Sequence, residues 1–142
     1  VQLHGYQQPG IARALKTAGR TVVKVLHVRD GRCVETPLIP AYERAGVDLF
    51  LLDAVGTDGA LGSTGRSLEP EVVLRVAESL TRPFLLAGGL RPDSAADFRA
   101  VSGHPLFTGI DVDSGSRGPD GMFDPDRITR LRREWTNQAV AG

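Results

Sequence analysis

The sequence predicts an α/β protein built on parallel strands, and three observations carry that prediction. Short apolar, β-branched runs alternate with stretches of helical spacing along the chain. No two of these runs are joined as a tandem hairpin, so successive strands need helical crossovers, which are right-handed. The runs are apolar on nearly every residue, as expected of strands covered on both faces.

The first run, Val1–Leu3 with His4 and Gly5, reads as the tail of a strand. Pro9 opens a short amphipathic helix with Ile11, Ala14 and Leu15 inward and Arg13 and Lys16 outward; Gly19 ends it. Residues 21–28, TVVKVLHV, form the second strand, and Asp30-Gly31 is a turn signal. A helix is expected over 37–45, with Pro40 near its first turn and Gly46 just past its end. Leu49–Asp53 is the third strand, and a glycine-rich loop follows to about Glu69.

Pro70 starts a helix whose buried face is Val72, Val73, Val76 and Leu80. Phe84–Ala87 is a strand ending in Gly88-Gly89-Leu90. Pro92-Asp93-Ser94 caps a helix that turns Ala95, Ala96 and Phe98 to the sheet. Residues 107–112 are the last strand, ending in Asp113-Ser114-Gly115; a final helix over 125–135 carries an apolar stripe of Ile128, Leu131 and Trp135. The five strands recur at about 28 residues, close to the ~30 of a ~250-residue (β/α)8 barrel divided by eight. Five units do not close such a barrel. The alternatives are an open doubly wound sheet or a barrel with about three units absent.

Composition narrows the class of function. The 142 residues suit one domain, 1–142, with Lys+Arg and Asp+Glu equal at 17 each, so no basic footprint for nucleic acid or an anionic membrane is present. No run reaches the ~18 apolar residues of a membrane helix. The lone Cys33 excludes an internal disulfide framework and fits a reducing cytoplasm. The chain opens inside a strand and without methionine, and truncation or processing is the expectation.

Residues 49–68, LFLLDAVGTDGALGSTGRSL, hold the strongest chemical signal. A buried strand ending in one carboxylate, Asp53, and opening into a glycine-rich loop is how α/β barrels present a catalytic group. General acid in a sugar-phosphate isomerase and an ordinary loop-capping aspartate stand about equal on the residues alone. Gly88-Gly89 and Ser114-Gly115 lie where the last two strands of a barrel bind phosphate, although turn chemistry alone also accounts for them. Cys33 is expected to be inert, lacking an evident activating partner. His4, His27, His104 and Cys33 have no metal-ligand spacing, so neither metal nor cofactor is expected. Lys24 and Asp111 sit within strands, where an inward charge needs a partner.

Taken in order, VQLHG, VVKVLHV, FLLDA, GSTGRSLEP, FLLAGGLRPDS and IDVDSG resemble phosphoribosylanthranilate isomerase of tryptophan biosynthesis. The resemblance runs over nearly the whole chain and implies strands four to eight of a (β/α)8 barrel. It implies the Amadori rearrangement of N-(5-phosphoribosyl)anthranilate to 1-(2-carboxyphenylamino)-1-deoxyribulose 5-phosphate, without cofactor or metal, in the cytoplasm. Asp53 matches the family's general acid. Gly88, Gly89, Ser114, Gly115, His4 and Asp111 match positions around substrate and phosphate, and Gly62, Gly65 and Arg66 match its lid loop.

Two departures stand out. Asp113 replaces the usual serine, and a carboxylate ~4 Å from phosphate costs about 4 kcal/mol at an effective dielectric of 20. Arg117, also a departure, is placed to offset that charge. The family's lysine-isoleucine-cysteine-glycine motif, which bears the general base, has no counterpart here, so efficient turnover by this chain alone is not expected. Two further readings stay open. One is a non-catalytic chain that assembles with a second copy or a complementing barrel fragment; the other is an isomerase of a related aminosugar phosphate.

Overall fold

The computed structural model describes residues 1–29, 31–53 and 69–136. Five parallel strands form one sheet in the order β1 (Gln2–Leu3), β2 (Val23–Arg29), β4 (Leu49–Asp53), β5 (Phe84–Ala87) and β6 (Phe107–Ile110). Helices α1 (Pro9–Thr17), α2 (Ile39–Arg44), α3 (Pro70–Ala77), α4 (Arg99–Ser102) and α5 (Pro125–Thr136) connect or follow them. The expected βα alternation is therefore present, as a partial barrel. One pairing was not expected: β3 (Arg32–Cys33) returns antiparallel to β2 around Gly31, whose φ of +73° suits a tight turn. This small β2–β3 hairpin corrects the expectation of crossovers alone.

Alternation along the strands separates two apolar layers. Leu26, Val28, Phe50, Leu52, Phe84 and Leu86 face the helices and join Val72, Val73, Val76, Phe98 and Trp135 in the main core. Val25, Leu51 and Ala87 face the other way, with half-buried Val23 and Leu85 against them. Helices α1 and α2 stop at Gly19 and Gly46, both at positive φ. In each case the next two N–H groups reach back to close the last turn: Arg20 to Leu15 and Gly19 to Lys16, then Val47 to Tyr42 and Gly46 to Glu43.

Several details differ from the sequence expectation. In α1, Ala12 is the buried residue while Ile11 and Ala14 are exposed, and Lys16 is drawn inward rather than out. Lys16 Nζ donates to both Asp48 oxygens at 2.7 and 2.8 Å, and Asp48 also accepts the Val22 N–H at 2.7 Å. The Lys16 hydrogen bond, then the Val22 N–H, hold the Asp48 carboxyl below its usual range. The helix expected after Pro92 is split into a 3₁₀ turn, Pro92–Ser94, and the short α4, and Ala96 faces solvent. Ser94 Oγ accepts the Arg91 N–H and donates to the Arg91 carbonyl, local bonds that favour the tighter turn. On α5, Leu131 and Trp135 are buried but Ile128 is exposed. The last strand stops at Ile110, after a register shift opposite Phe84 and Leu85.

The two layers make the fold testable. Phe50→Ala, at a fully buried site, should cost about 3–5 kcal/mol in urea unfolding, whereas Ile11→Ala should stay within ~0.5 kcal/mol. Asp48→Asn should lose about 1 kcal/mol at neutral pH. Because the folded carboxyl of Asp48 is depressed, that difference should shrink as pH falls below the ordinary carboxylate range.

Candidate functional site

Parallel register sets the site. His27 of β2 lies opposite Asp53 of β4, and Asp53 lies opposite Ala87 of β5. The ends of β4 and β5 are thus level with His27, two residues short of the end of β2, and the three side chains leave the sheet on the same face. His4, just past β1, completes the row: its ring stacks on that of His27 at 5.4 Å between centroids and 6° between planes. One ligand-capable atom each from His4, His27 and Asp53 lies within 4.8 Å of the others.

A cavity of about 230 Å³ opens at these strand ends, and His4, Asp53, Gly88, Gly89, Asp111 and Ser114 lie on its wall. Residues from four sequence segments expected at the site therefore meet at one place. Gly88 and Gly89 adopt φ of +99° and +61°, which side chains rarely tolerate. Gly115 is buried just behind the wall, where an added Cβ would sit 1.9 Å from the Leu90 carbonyl oxygen. Trp135 Nε1 donates to the Arg91 carbonyl at 3.2 Å, so α5 braces the turn after β5. Asp111 falls beyond β6 and is exposed, rather than inside a strand, although its N–H still donates to the Leu86 carbonyl at 2.9 Å. The lid residues Gly62, Gly65 and Arg66 lie outside the described residues.

Asp113 is exposed and paired. Arg117 donates to one of its oxygens from Nε at 2.9 Å and from Nη2 at 2.6 Å, donates to the Gly121 carbonyl, and lies 4.2 Å over the Phe123 ring. The two departures from the family pattern thus form one ion pair beside the cavity. An attached cation offsets much of the repulsion that Asp113 would exert on an anion there.

Behind His27 sits Glu35, buried in the turn after β3. Its carboxylate accepts the His27 Nδ1 hydrogen at 2.6 Å and the His27 backbone N–H at 3.1 Å. Burial pushes the Glu35 carboxyl up, but these hydrogen bonds outweigh it and leave the group below its usual range. Cys33 Sγ lies 3.5 Å from the same carboxylate, and burial first, then the nearby negative charge, raise its thiol. A buried thiol held in its protonated form is a poor nucleophile. Lys24 leaves the sheet on the helix side, not toward the cavity. It donates to the Gly5 and Val25 carbonyls and lies 5.3 Å from the Tyr42 ring, with burial lowering its ammonium.

Sequence spacing shows no metal grouping, yet the fold brings His4, His27 and Asp53 together; each comes from a different βα unit, so local spacing carries no trace of it. Glu35 was missed altogether. The β2–β3 hairpin signalled by Asp30-Gly31 was the available clue, because a return strand there brings residue 35 back to residue 27.

Two changes test this geometry. Gly115→Ala should cost about 1–3 kcal/mol in thermal or urea unfolding, because the added methyl meets backbone rather than a flexible side chain. Glu35→Gln should destabilise the chain at neutral pH by about 1–3 kcal/mol. The folded Glu35 carboxyl is depressed, so the unfolded chain binds its proton first and stability falls as pH drops through the carboxylate range. Urea titrations against pH should show the parent and Glu35→Gln converging on the acid side.

A family model for "N-(5'phosphoribosyl)anthranilate (PRA) isomerase" matches residues 1–132. The N-(5'-phosphoribosyl)anthranilate isomerase of Synechococcus sp. is 36% identical over 142 residues, covering 97% of this chain and 58% of that protein. The solved phosphoribosyl anthranilate isomerase of Thermococcus kodakaraensis superposes with a TM-score of 0.63 at 28% identity, covering 99% of this chain and 63% of that one. A phosphoribosyl anthranilate isomerase in complex with reduced 1-(o-carboxyphenylamino)-1-deoxyribulose 5-phosphate shares the fold, with a TM-score of 0.62, 23% identity and coverage of 96% and 59%. The chain spans about 60% of the length of the relatives it matches.

Proposed function

The chain belongs to the N-(5'-phosphoribosyl)anthranilate isomerase family, and from that premise we propose that it carries the acid-bearing and phosphate-binding part of an isomerase site. The observation behind this reading is the position of Asp53 at the end of β4, on the wall of a cavity that also meets the Gly88-Gly89 and Ser114 turns. Residues 1–142 act as a single domain equivalent to strands four to eight of the family barrel, in the cytoplasm. The substrate is a phosphorylated aminosugar, N-(5-phosphoribosyl)anthranilate.

In this mechanism the protonated Asp53 carboxyl gives its proton to the furanose ring oxygen as the C1–O bond breaks. The nitrogen lone pair forms the C1=N iminium. A base then removes the C2 proton, and the electron pair moves to give the enolamine, which tautomerises to the aminoketose. The phosphate binds at the glycine turns Gly88-Gly89 and Ser114-Gly115, where the lack of side chains lets backbone N–H groups approach. The Asp113–Arg117 pair keeps that end of the cavity close to neutral, while His4 and Asp111 flank the sugar. The base comes from a strand that must join this sheet, since the family's base-bearing motif matches no residue here.

One observation favours a companion reading, in which the chain acts by assembling with a second copy or a complementing barrel fragment. Val23 and Leu85, on the face that a closed barrel would cover, are only half-buried. The test is growth of a tryptophan auxotroph lacking this isomerase. The chain alone should support little growth, and co-expression with the first three βα units of a relative should restore it. Asp53→Asn in the complemented pair should lower the rate at least about a hundredfold with the fold retained. Near-parental turnover by Asp53→Asn overturns the acid assignment, and failure of every complementing fragment favours the non-catalytic chain.

A further inference from the structure

We propose that His4, His27 and Asp53 form a binding site for a first-row transition-metal ion such as Zn²⁺, backed by Glu35. The inference rests on side-chain geometry and does not depend on the isomerase reading: an ion takes the Asp53 carboxylate, whereas proton transfer needs the ion-free, protonated acid, so ion and aminosugar phosphate exclude each other. Three ligand atoms within 4.8 Å of one another, two imidazole nitrogens and one carboxylate oxygen, are a donor set suited to Zn²⁺, Co²⁺ or Ni²⁺ rather than to Mg²⁺ or Ca²⁺, which prefer oxygen alone.

An independent feature lies behind the trio. Glu35 is almost fully buried and accepts the His27 Nδ1 hydrogen at 2.6 Å. That bond fixes the tautomer and leaves Nε2, with its in-plane lone pair, as the atom free to bind an ion. A carboxylate behind a ligating histidine is the usual outer-shell partner of a metal site, where it orients the ring and raises its basicity. The same carboxylate also accepts the His27 backbone N–H at 3.1 Å, so ring and main chain are held by one group.

The two anchored ligands differ from the third. His27 is buried, and it faces Asp53 across the register of β2 and β4, so their separation is set by the sheet. His4 is exposed and lies after a strand of two residues, free to turn. In the stack with His27 the in-plane lone pairs of the two rings lie in separate, nearly parallel planes that do not meet at one ion, so His4 must rotate out of the stack to share one. Ligands on one ion at ~2.0–2.2 Å sit closer together than 4.8 Å, and this rotation supplies the closure. Because His4 and Asp53 also lie on the cavity wall, the remaining coordination positions face the cavity, open to water or to an oxyanion. Cys33, the one thiol, is buried beside Glu35 and takes no part in the site.

Isothermal titration of Zn²⁺ into the metal-free chain, with Co²⁺ absorption as a second readout, tests the proposal. One ion should bind per chain, with a Co²⁺ spectrum of nitrogen and oxygen ligation lacking a thiolate charge-transfer band. His4→Ala, an exposed position whose loss spares the core, should weaken binding at least about tenfold, and Glu35→Gln should do so by about 10–100-fold. Cys33→Ser should leave the affinity unchanged. Equal affinity in the parent and His4→Ala, loss of binding in Cys33→Ser, or no binding by the parent below millimolar Zn²⁺ would each overturn the site. Circular dichroism of each variant separates a lost ligand from a lost fold. Growth of the auxotroph reports only on the isomerase reading, so the two proposals fail separately.

Discussion

The parallel register of β2, β4 and β5 is the constraint on which the rest of the molecule depends. Pairing Val23 with Leu49 and Phe50 with Phe84 fixes every later pair, so His27, Asp53 and Ala87 end level with one another. A slip of one residue would send Phe50 and Leu52 to the cavity side and Asp53 into the apolar layer beneath the helices. Burial of the large residues on the helix face therefore enforces the position of the polar ones at the strand ends. The hydrophobic layer and the chemistry share one degree of freedom.

Around that row several charged side chains are held by specific partners. Lys24 is turned to the helix face and held by two carbonyls and the Tyr42 ring. Glu35 is stabilised by the His27 hydrogen bonds, and Asp113 by Arg117. Asp48 ties α1 to the segment between α2 and β4 through Lys16 and the Val22 N–H. A buried charge without such a partner would cost several kcal/mol, so the bonds to Lys24 and Glu35 are conditions for folding, whereas the surface pairs contribute about 1 kcal/mol or less. The exposed Asp113–Arg117 pair matters at the cavity instead, where it joins two residues that look unfavourable singly.

Most of the fold is legible in the sequence because strand burial and helix stops are local. The bounds of β4 and β5 follow from apolar runs that end at Asp53 and Gly88, and Gly19 and Gly46 mark the ends of α1 and α2. Legibility fails where a side chain chooses between solvent and a distant partner. Lys16 reads as outward until Asp48 is brought beside it, and Ile11 and Ile128 read as core until the helices settle on smaller or more distant contacts. The helix after Pro92 fails for a different reason: Ser94 bonds the backbone of Arg91 and stabilises a tighter turn than periodicity suggests.

The sequence by itself determined the class of fold, the order of its units, Asp53 at a strand end and the glycine turns around the cavity. These depend on residue type and on neighbours within a few positions. Only the tertiary structure decided which polar groups meet. His4, His27 and Asp53 come from three separate βα units and converge because parallel strands align their carboxyl ends. Glu35 reaches His27 because the chain after β2 doubles back. The register of a sheet is a property of many residues at once, and the company each side chain keeps follows from that register.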